Sequence, residues 1–189
     1  MADPYLGPTG EVLRNLLGIE DPAVLDRAET DISAARLYEL SLRGVDGEFD
    51  FAHLCRCHRL IFQDLYDWAG EIRTVEIAKG PYFCPARNIR MYADDVFGRL
   101  SEQRLLRGRS RTEFVPAVAA LYGDINALHP FREGNGRAQR FFLGLLARHA
   151  GHRIAWERID RERNDAACLA NRRDGDDEQL RKLMDELVE

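Results

Sequence analysis

The sequence predicts an all-α domain carrying one small β-hairpin, on three observations. Apolar residues recur at three- and four-residue steps along most of the chain, the period of a helix with one buried face. Capping residues and prolines stand where those runs begin, and glycines where they stop. One stretch, 72–84, alternates instead and contains a turn signal.

With 189 residues, 45% of them hydrophobic and 31% charged, the chain can bury the core of a single domain. We therefore read 1–189 as one unit with an N-terminal extension over about 1–20. A net charge of −5 gives no global attraction to nucleic acid or to an anionic membrane, so an anion site has to be local. Cys55, Cys57, Cys84 and Cys168 form no disulfide framework, which points to a reducing, cytoplasmic setting. Met1-Ala2-Asp3-Pro4-Tyr5 lacks the pattern of a secretory leader. No apolar run approaches the ~20 residues of a membrane span.

Taken in order, residues 11–17 offer a short amphipathic helix closed by Gly18. Asp21-Pro22 is an N-cap followed by proline at the first helical position, and the helix runs to about 42. A second begins at Asp50, buries Phe51, Leu54, Cys55, His58, Ile61, Phe62 and Leu65, and ends near 68–70. Residues 72–77 then read as strand, Lys79-Gly80-Pro81 as the turn and 82–84 as the returning strand. An isolated hairpin is marginal, so this one has to lean on the helices or await a partner. Helices follow over 88–106, 112–128, 137–149, 155–170 and 177–188. On the second helix, His53 shares a face with Cys57, and Cys55 shares the nearly opposite face with His58. Packing is therefore the expected role of these four, since a closed zinc site needs converging ligands. The basic segment 104–111 has no interleaved aromatics and reads as a solvated connector, with no direct nucleic-acid binding expected.

The chemistry is concentrated in residues 129–140: His129-Pro130-Phe131-Arg132-Glu133-Gly134-Asn135-Gly136-Arg137-Ala138-Gln139-Arg140. His129 closes a buried helix, whose electronegative end is expected to raise the imidazole pKa toward the range of a general base. Gly134 and Gly136 let main-chain N–H groups approach a ligand, and the helix that follows adds its positive end, making an anion nest. Arg137 and Arg140, three residues apart, can face one ligand and match phosphate oxygens. Glu133 makes sense there as a ligand to a Mg²⁺ ion bridging phosphates. Such parts suit phosphoryl or nucleotidyl transfer.

This string resembles the Fic family motif, His-Pro-Phe-x-(Asp/Glu)-Gly-Asn-Gly-Arg-x-x-Arg, at every fixed position. Leu65-Tyr66-Asp67-Trp68-Ala69-Gly70-Glu71-Ile72-Arg73-Thr74 looks like the approach to that family's flap. Val12-Leu13-Arg14-Asn15 resembles the start of its short toxin-type members. The resemblance implies a Fic-type helical bundle that transfers AMP from ATP to a side-chain hydroxyl of a target protein, with Mg²⁺ as cofactor. It assigns His129 as the base, Glu133 as the metal ligand and Phe131 as the inward anchor of the loop. Gly134, Asn135 and Gly136 would line the anion hole, with Arg137 and Arg140 on the β- and γ-phosphates. Thr74, Val75, Glu76, Ile77 and Lys79 of the flap would register the target by strand addition.

Many members carry an inhibitory Ser/Thr-x-x-x-Glu helix whose glutamate pairs with the second motif arginine. None of the eight Ser or Thr residues here has glutamate four positions on. The resemblance thus points to a toxin restrained by a separate small antitoxin whose glutamate reaches Arg140. It also implies a type II topoisomerase such as DNA gyrase as the target. Two alternatives stay open: transfer of another phosphate-containing group, and a nucleotide-binding interaction module without transfer.

Overall fold

The computed structural model describes residues 3–189; Met1 and Ala2, where the extension expected over 1–20 begins, lie outside the described residues. Among the described residues seven α-helices appear in order: α1 (Pro22–Arg43), α2 (Phe51–Phe62), α3 (Ile89–Glu102), α4 (Arg111–Leu128), α5 (Asn135–Ala150), α6 (Arg161–Asp174) and α7 (Glu178–Leu187). Two begin at the residues read from the sequence, Asp21 and Asp50, and two more on caps that the structure reveals, Ser110 and Asp160. Asp21, Asp50 and Asp160 accept from the backbone N–H three residues on, and Ser110 with Glu113 closes a reciprocal capping box. Each such cap contributes about 1 kcal/mol.

Helix α4 is the hub. It packs against α3, α5, α6 and α7, while α2 joins α5 to α1. Phe114, Val118, Tyr122, Phe142 and Leu146 are fully buried among these contacts, with Leu54 and Ile61 contributed by α2. The C-terminus is tied back as Arg153 and Glu189 exchange backbone hydrogen bonds of 3.0 and 2.8 Å. Among the described residues, no helix is long and apolar enough to cross a membrane.

Several expectations require correction. Residues 11–17 are not a helix. An antiparallel bridge joins Leu6 to Leu13, and the Asn15 side chain takes the N–H groups of Leu17 and Ile19, so local side-chain bonding replaces the helical ladder. Helix α2 stops at Phe62 rather than near 68–70. Past that point Tyr66 stacks on Trp68 with ring centroids 4.2 Å apart, and the chain turns to seat both rings in the core. The helix expected over 88–106 ends at Glu102, because Arg104, Leu105 and Leu106 adopt left-handed φ values of 55, 54 and 59°. Helix α6 starts later than expected, after a 3₁₀ turn at Trp156–Arg158.

The hairpin is the main difference. Residues 72–84 form a loop with a single antiparallel bridge, Ala78 to Tyr82, and one further bond from Phe83 N–H to the Ile77 carbonyl at 3.2 Å. Alternation alone suggests a ladder, but the backbone groups that would form it are taken. The Arg73 guanidinium donates to the Val75 and Cys84 carbonyls, Thr74 N–H to the Tyr5 hydroxyl, and Cys84 N–H to the Ala127 carbonyl. Tertiary hydrogen bonds therefore override strand propensity here.

Candidate active site

The site forms where α4 hands over to α5. His129 ends α4 in a left-handed conformation (φ 42°, ψ 62°), and its N–H still reaches the Ile125 carbonyl at 3.1 Å. The proline after it disfavours the right-handed region. For a residue with a side chain the left-handed state costs roughly 1–2 kcal/mol, so other contacts have to hold it. Arg73 supplies two of these: its Nε donates to the His129 carbonyl and its backbone N–H to the Pro130 carbonyl, both at 2.8 Å. The imidazole stacks on Phe83, with centroids 3.6 Å apart and planes 15° apart. Its Nδ1 lies 3.1 Å from the Asn126 carbonyl, which can only accept, so Nδ1 carries the proton and Nε2 keeps a free lone pair.

The expected rise in the His129 pKa does not occur. Burial pushes it down to about 3, and the positive charges of Arg73, Arg172 and Lys79 act in the same direction. The hydrogen bond to the Asn126 carbonyl favours the protonated ring but is outweighed by the loss of water. His129 is therefore a neutral imidazole at physiological pH.

Phe131 points inward, 1% exposed, and stacks on His58 at 3.9 Å. The Asn135 side chain is bonded within the loop itself. It is buried and clamps the loop, accepting from Phe131 N–H at 2.9 Å and donating to the Phe131 carbonyl at 2.7 Å. His58 supports the loop from below. Its Nδ1 accepts from Gly70 N–H at 2.9 Å, so Nε2 carries the proton and donates to the Glu133 carbonyl, also at 2.9 Å. Burial pushes its pKa to about 3 as well.

Gly134 caps α5 with φ 78°, and a Cβ there would stand 2.4 Å from the Phe62 ring. Only glycine fits. α5 begins two residues before the expected position, so the N–H groups of Asn135, Gly136 and Arg137 occupy its first turn, where no intrahelical partner exists. The Arg140 guanidinium curls back over that turn, its Nη1 3.2 Å from where a Cβ on Gly136 would stand. Glu133 is exposed; one carboxylate oxygen accepts from Gly134 N–H at 2.7 Å and lies 3.7 Å from Arg137 Nη2. Arg137 itself lies over the Phe62 ring and is bound to Ser33 and Glu29 of α1.

The 72–84 loop closes the other side. Lys79 pairs with Asp165 of α6 at 2.8 Å, while Arg172 donates to the Lys79 carbonyl and stacks over Phe83 at 4.2 Å. Thr74 and Glu76 are exposed, and Val75 and Ile77 half-buried. Arg172, Phe83 and His129 thus form one stack running from α6 into the site.

A family model described as Fic/DOC family matches residues 48–147, more than half of the chain. The chain belongs to the Fic/DOC family. It is 40% identical over 168 residues to the protein adenylyltransferase VbhT of Bartonella schoenbuchensis, covering 88% of this chain and 35% of that protein. The chain therefore spans about a third of VbhT. It is also 40% identical over 162 residues to the probable protein adenylyltransferase Fic of Salmonella typhimurium, covering 83% of this chain and 78% of that one. Among solved structures, the Bartonella tribocorum BepC protein with bound AMPPNP superposes with a TM-score of 0.89 at 25% identity, over 98% of this chain and 96% of that one.

Within this Fic chain the structure adds residues that sequence reasoning left without a role. Arg73, fully buried, binds the carbonyls of His129, Val75 and Cys84 and so ties both ends of the 72–84 loop to the 129–140 loop. Phe83 fixes the plane of His129, and His58 fixes the Glu133 backbone. Arg73 and Phe83 look like ordinary members of an alternating stretch, and His58 was expected to pack, so no local signal marks them. The His53 side chain holds the 45–49 turn, with Nε2 3.0 Å from the Val45 carbonyl.

Proposed function

We propose that this Fic chain transfers AMP from ATP to a hydroxyl side chain of a target protein, releasing pyrophosphate. The observation that carries the reading is the state of His129. It is a neutral imidazole whose Nδ1 proton is committed to the Asn126 carbonyl, leaving Nε2 as the basic nitrogen, and the loop it opens runs directly into the N-terminus of α5, which carries Arg137 and Arg140. That arrangement suits removal of a proton from an incoming hydroxyl while positive charge receives the phosphates. The first turn of α5 would cradle the polyphosphate, with Arg140 beside Gly136 as a second cation.

The donor set fits Mg²⁺, which takes one or two protein carboxylates and completes its shell with phosphates and water. Glu133 has a carboxylate oriented by Gly134 N–H and exposed to the cleft. When bound, the ion would offset charge on the α- and β-phosphates. The relatives named adenylyltransferases and the AMPPNP-bound BepC structure support the choice of nucleotide.

The finer reading is a cytoplasmic toxin held in check by a small antitoxin whose glutamate reaches Arg140. Its target would be a type II topoisomerase such as DNA gyrase, docked along the exposed flap residues Thr74 and Glu76. What supports this is the placement of Arg140 over the first turn of α5, beside Gly136 and next to the neutral Tyr122 hydroxyl.

The test is incubation of the purified chain with Mg²⁺, a target lysate and ATP labelled at either the α- or the γ-phosphate. Protein label from α-labelled ATP is expected, and it should vanish in His129→Ala while nucleotide binding persists. Label from the γ-position alone, or undiminished transfer by His129→Ala, refutes the assignment.

A further inference from the structure

Arg137 is held by a helix far from it in sequence. On α1, Glu29 and Ser33 stand one turn apart and so share a face. Arg137 Nη1 donates to the Ser33 hydroxyl at 2.9 Å, and Nη2 donates to one carboxylate oxygen of Glu29. The other Glu29 oxygen accepts from the Tyr66 hydroxyl. Ser33 is 1% exposed and Tyr66 2%, and the Glu29 side chain is 12% exposed. The Phe62 ring covers the guanidinium from a further side, 4.8 Å from its centre.

This hold leaves the arginine usable. A guanidinium has five N–H groups, and α1 takes two of them. The same Nη2 lies 3.7 Å from the Glu133 carboxylate, so the group sits at the edge of the cleft while gripped from behind. An arginine free to sample its rotamers would give up side-chain entropy on binding phosphate. Here that ordering is complete before the ligand arrives.

We propose that Glu29 and Ser33 are positioning residues that pre-orient Arg137 for the nucleotide phosphates, with Tyr66 fixing the Glu29 carboxylate in turn. This rests on the nucleotide reading above. The opposite role, a restraint that withholds Arg137, fits less well, because the bonded Nη2 already faces Glu133.

The test measures binding of a fluorescent non-hydrolysable ATP analogue with Mg²⁺, and transfer kinetics, for Glu29→Ala, Glu29→Gln, Arg137→Ala and the Glu29→Ala/Arg137→Ala pair. Glu29→Ala should weaken analogue binding roughly tenfold or more, acting on KM for ATP more than on kcat. Glu29→Gln keeps one acceptor oxygen for Arg137 and can donate its amide N–H to the Tyr66 hydroxyl, so it should recover part of that loss with the parental melting temperature. The double variant should bind no more weakly than Arg137→Ala, since Glu29 acts through that arginine. Additive losses, unchanged binding in Glu29→Ala, or tighter binding or faster transfer in that variant each overturn the inference. Parental protein that binds the analogue but transfers nothing refutes the transfer reading and leaves the cycle decisive for Glu29. Parental protein that binds no nucleotide overturns both.

Discussion

Replacing Arg73 should damage stability and transfer together, by amounts that the structure allows to be worked out. Its side chain is 0% exposed and serves three carbonyls, while Glu76 at 3.9 Å is a distant counter-ion. Arg73→Met fills most of the volume but leaves those acceptors without donors. An orphaned buried acceptor costs about 1–3 kcal/mol. Val75 and Cys84 are half-buried and can turn toward water, so the His129 carbonyl carries most of the loss. Removing a buried cation returns part of its desolvation cost, the burial that also pushes the Arg73 pKa down. The net is about 2–4 kcal/mol, which lowers the melting temperature of a domain this size by roughly 5–15 °C. Transfer should fall further than stability, because the left-handed turn at His129 loses its clamp. Arg73→Lys keeps the charge on a side chain that cannot reach three carbonyls in one plane, so it should resemble Met in activity. Thermal unfolding followed by circular dichroism, with transfer assayed well below the transition, checks both. An Arg73→Met protein that melts with the parent and transfers normally refutes the clamp, and restoration by lysine would show that charge is what matters.

Acid should not switch the enzyme off near pH 6.5. With the His129 pKa near 3, transfer should stay flat from about pH 8 to about pH 5, and an acid limb centred near 6.5 in the pH–rate profile would contradict the buried neutral base. His58 gives the matching stability effect: its folded pKa of about 3 lies below the unfolded 6.5, so its contribution is complete above 6.5 and lost as pH falls toward 3. At about pH 5 this removes roughly 2 kcal/mol, measurable by urea titration against His58→Asn. Gly134→Ala combines a left-handed φ with a Cβ against Phe62, and should cost about 2–5 kcal/mol in urea unfolding. Asn135→Ala opens both clamps on Phe131 and should cut kcat well before it affects KM for ATP; a change confined to KM would make the side chain a ligand contact instead.

What could be read from the sequence was what is local. Asp21, Asp50 and the helical period of α2 and α4 act within a few residues, and the residue types of 129–140 state their chemistry in one string. The rest depends on contacts that close over long separations. Arg73 meets His129 across 56 residues, His58 meets Glu133 across 75, and Glu29 meets Arg137 across 108. No window of sequence contains such a pair. Tertiary surroundings also account for the two largest differences from expectation. Residues 72–77 alternate as a strand does, but their bonding partners are Tyr5 and the Arg73 guanidinium. The helix end behind His129 argues for a raised pKa, but Phe83 and the surrounding core exclude the water that would stabilise the imidazolium.

The two motif arginines differ in a way their spacing conceals. On a bare helix Arg137 and Arg140 lie about 60° apart and look interchangeable. In the folded chain Arg137 is fastened to α1 by Ser33 and Glu29, whereas Arg140 lies back over the first turn of α5, beside Gly136. Fastening lowers the entropy cost of binding but partly neutralises the charge, since Glu29 contacts the guanidinium and Glu133 lies close by. Arg140 lies beside the Tyr122 hydroxyl rather than a carboxylate. On the proposed reading, a phosphate entering the nest meets one fastened, partly neutralised donor and one cation beside a neutral hydroxyl. The fastened one can set where the ligand sits, while the other is open to whatever carries the most negative charge nearby. An arginine of the second kind is the one for which a competing carboxylate from another chain has least to displace.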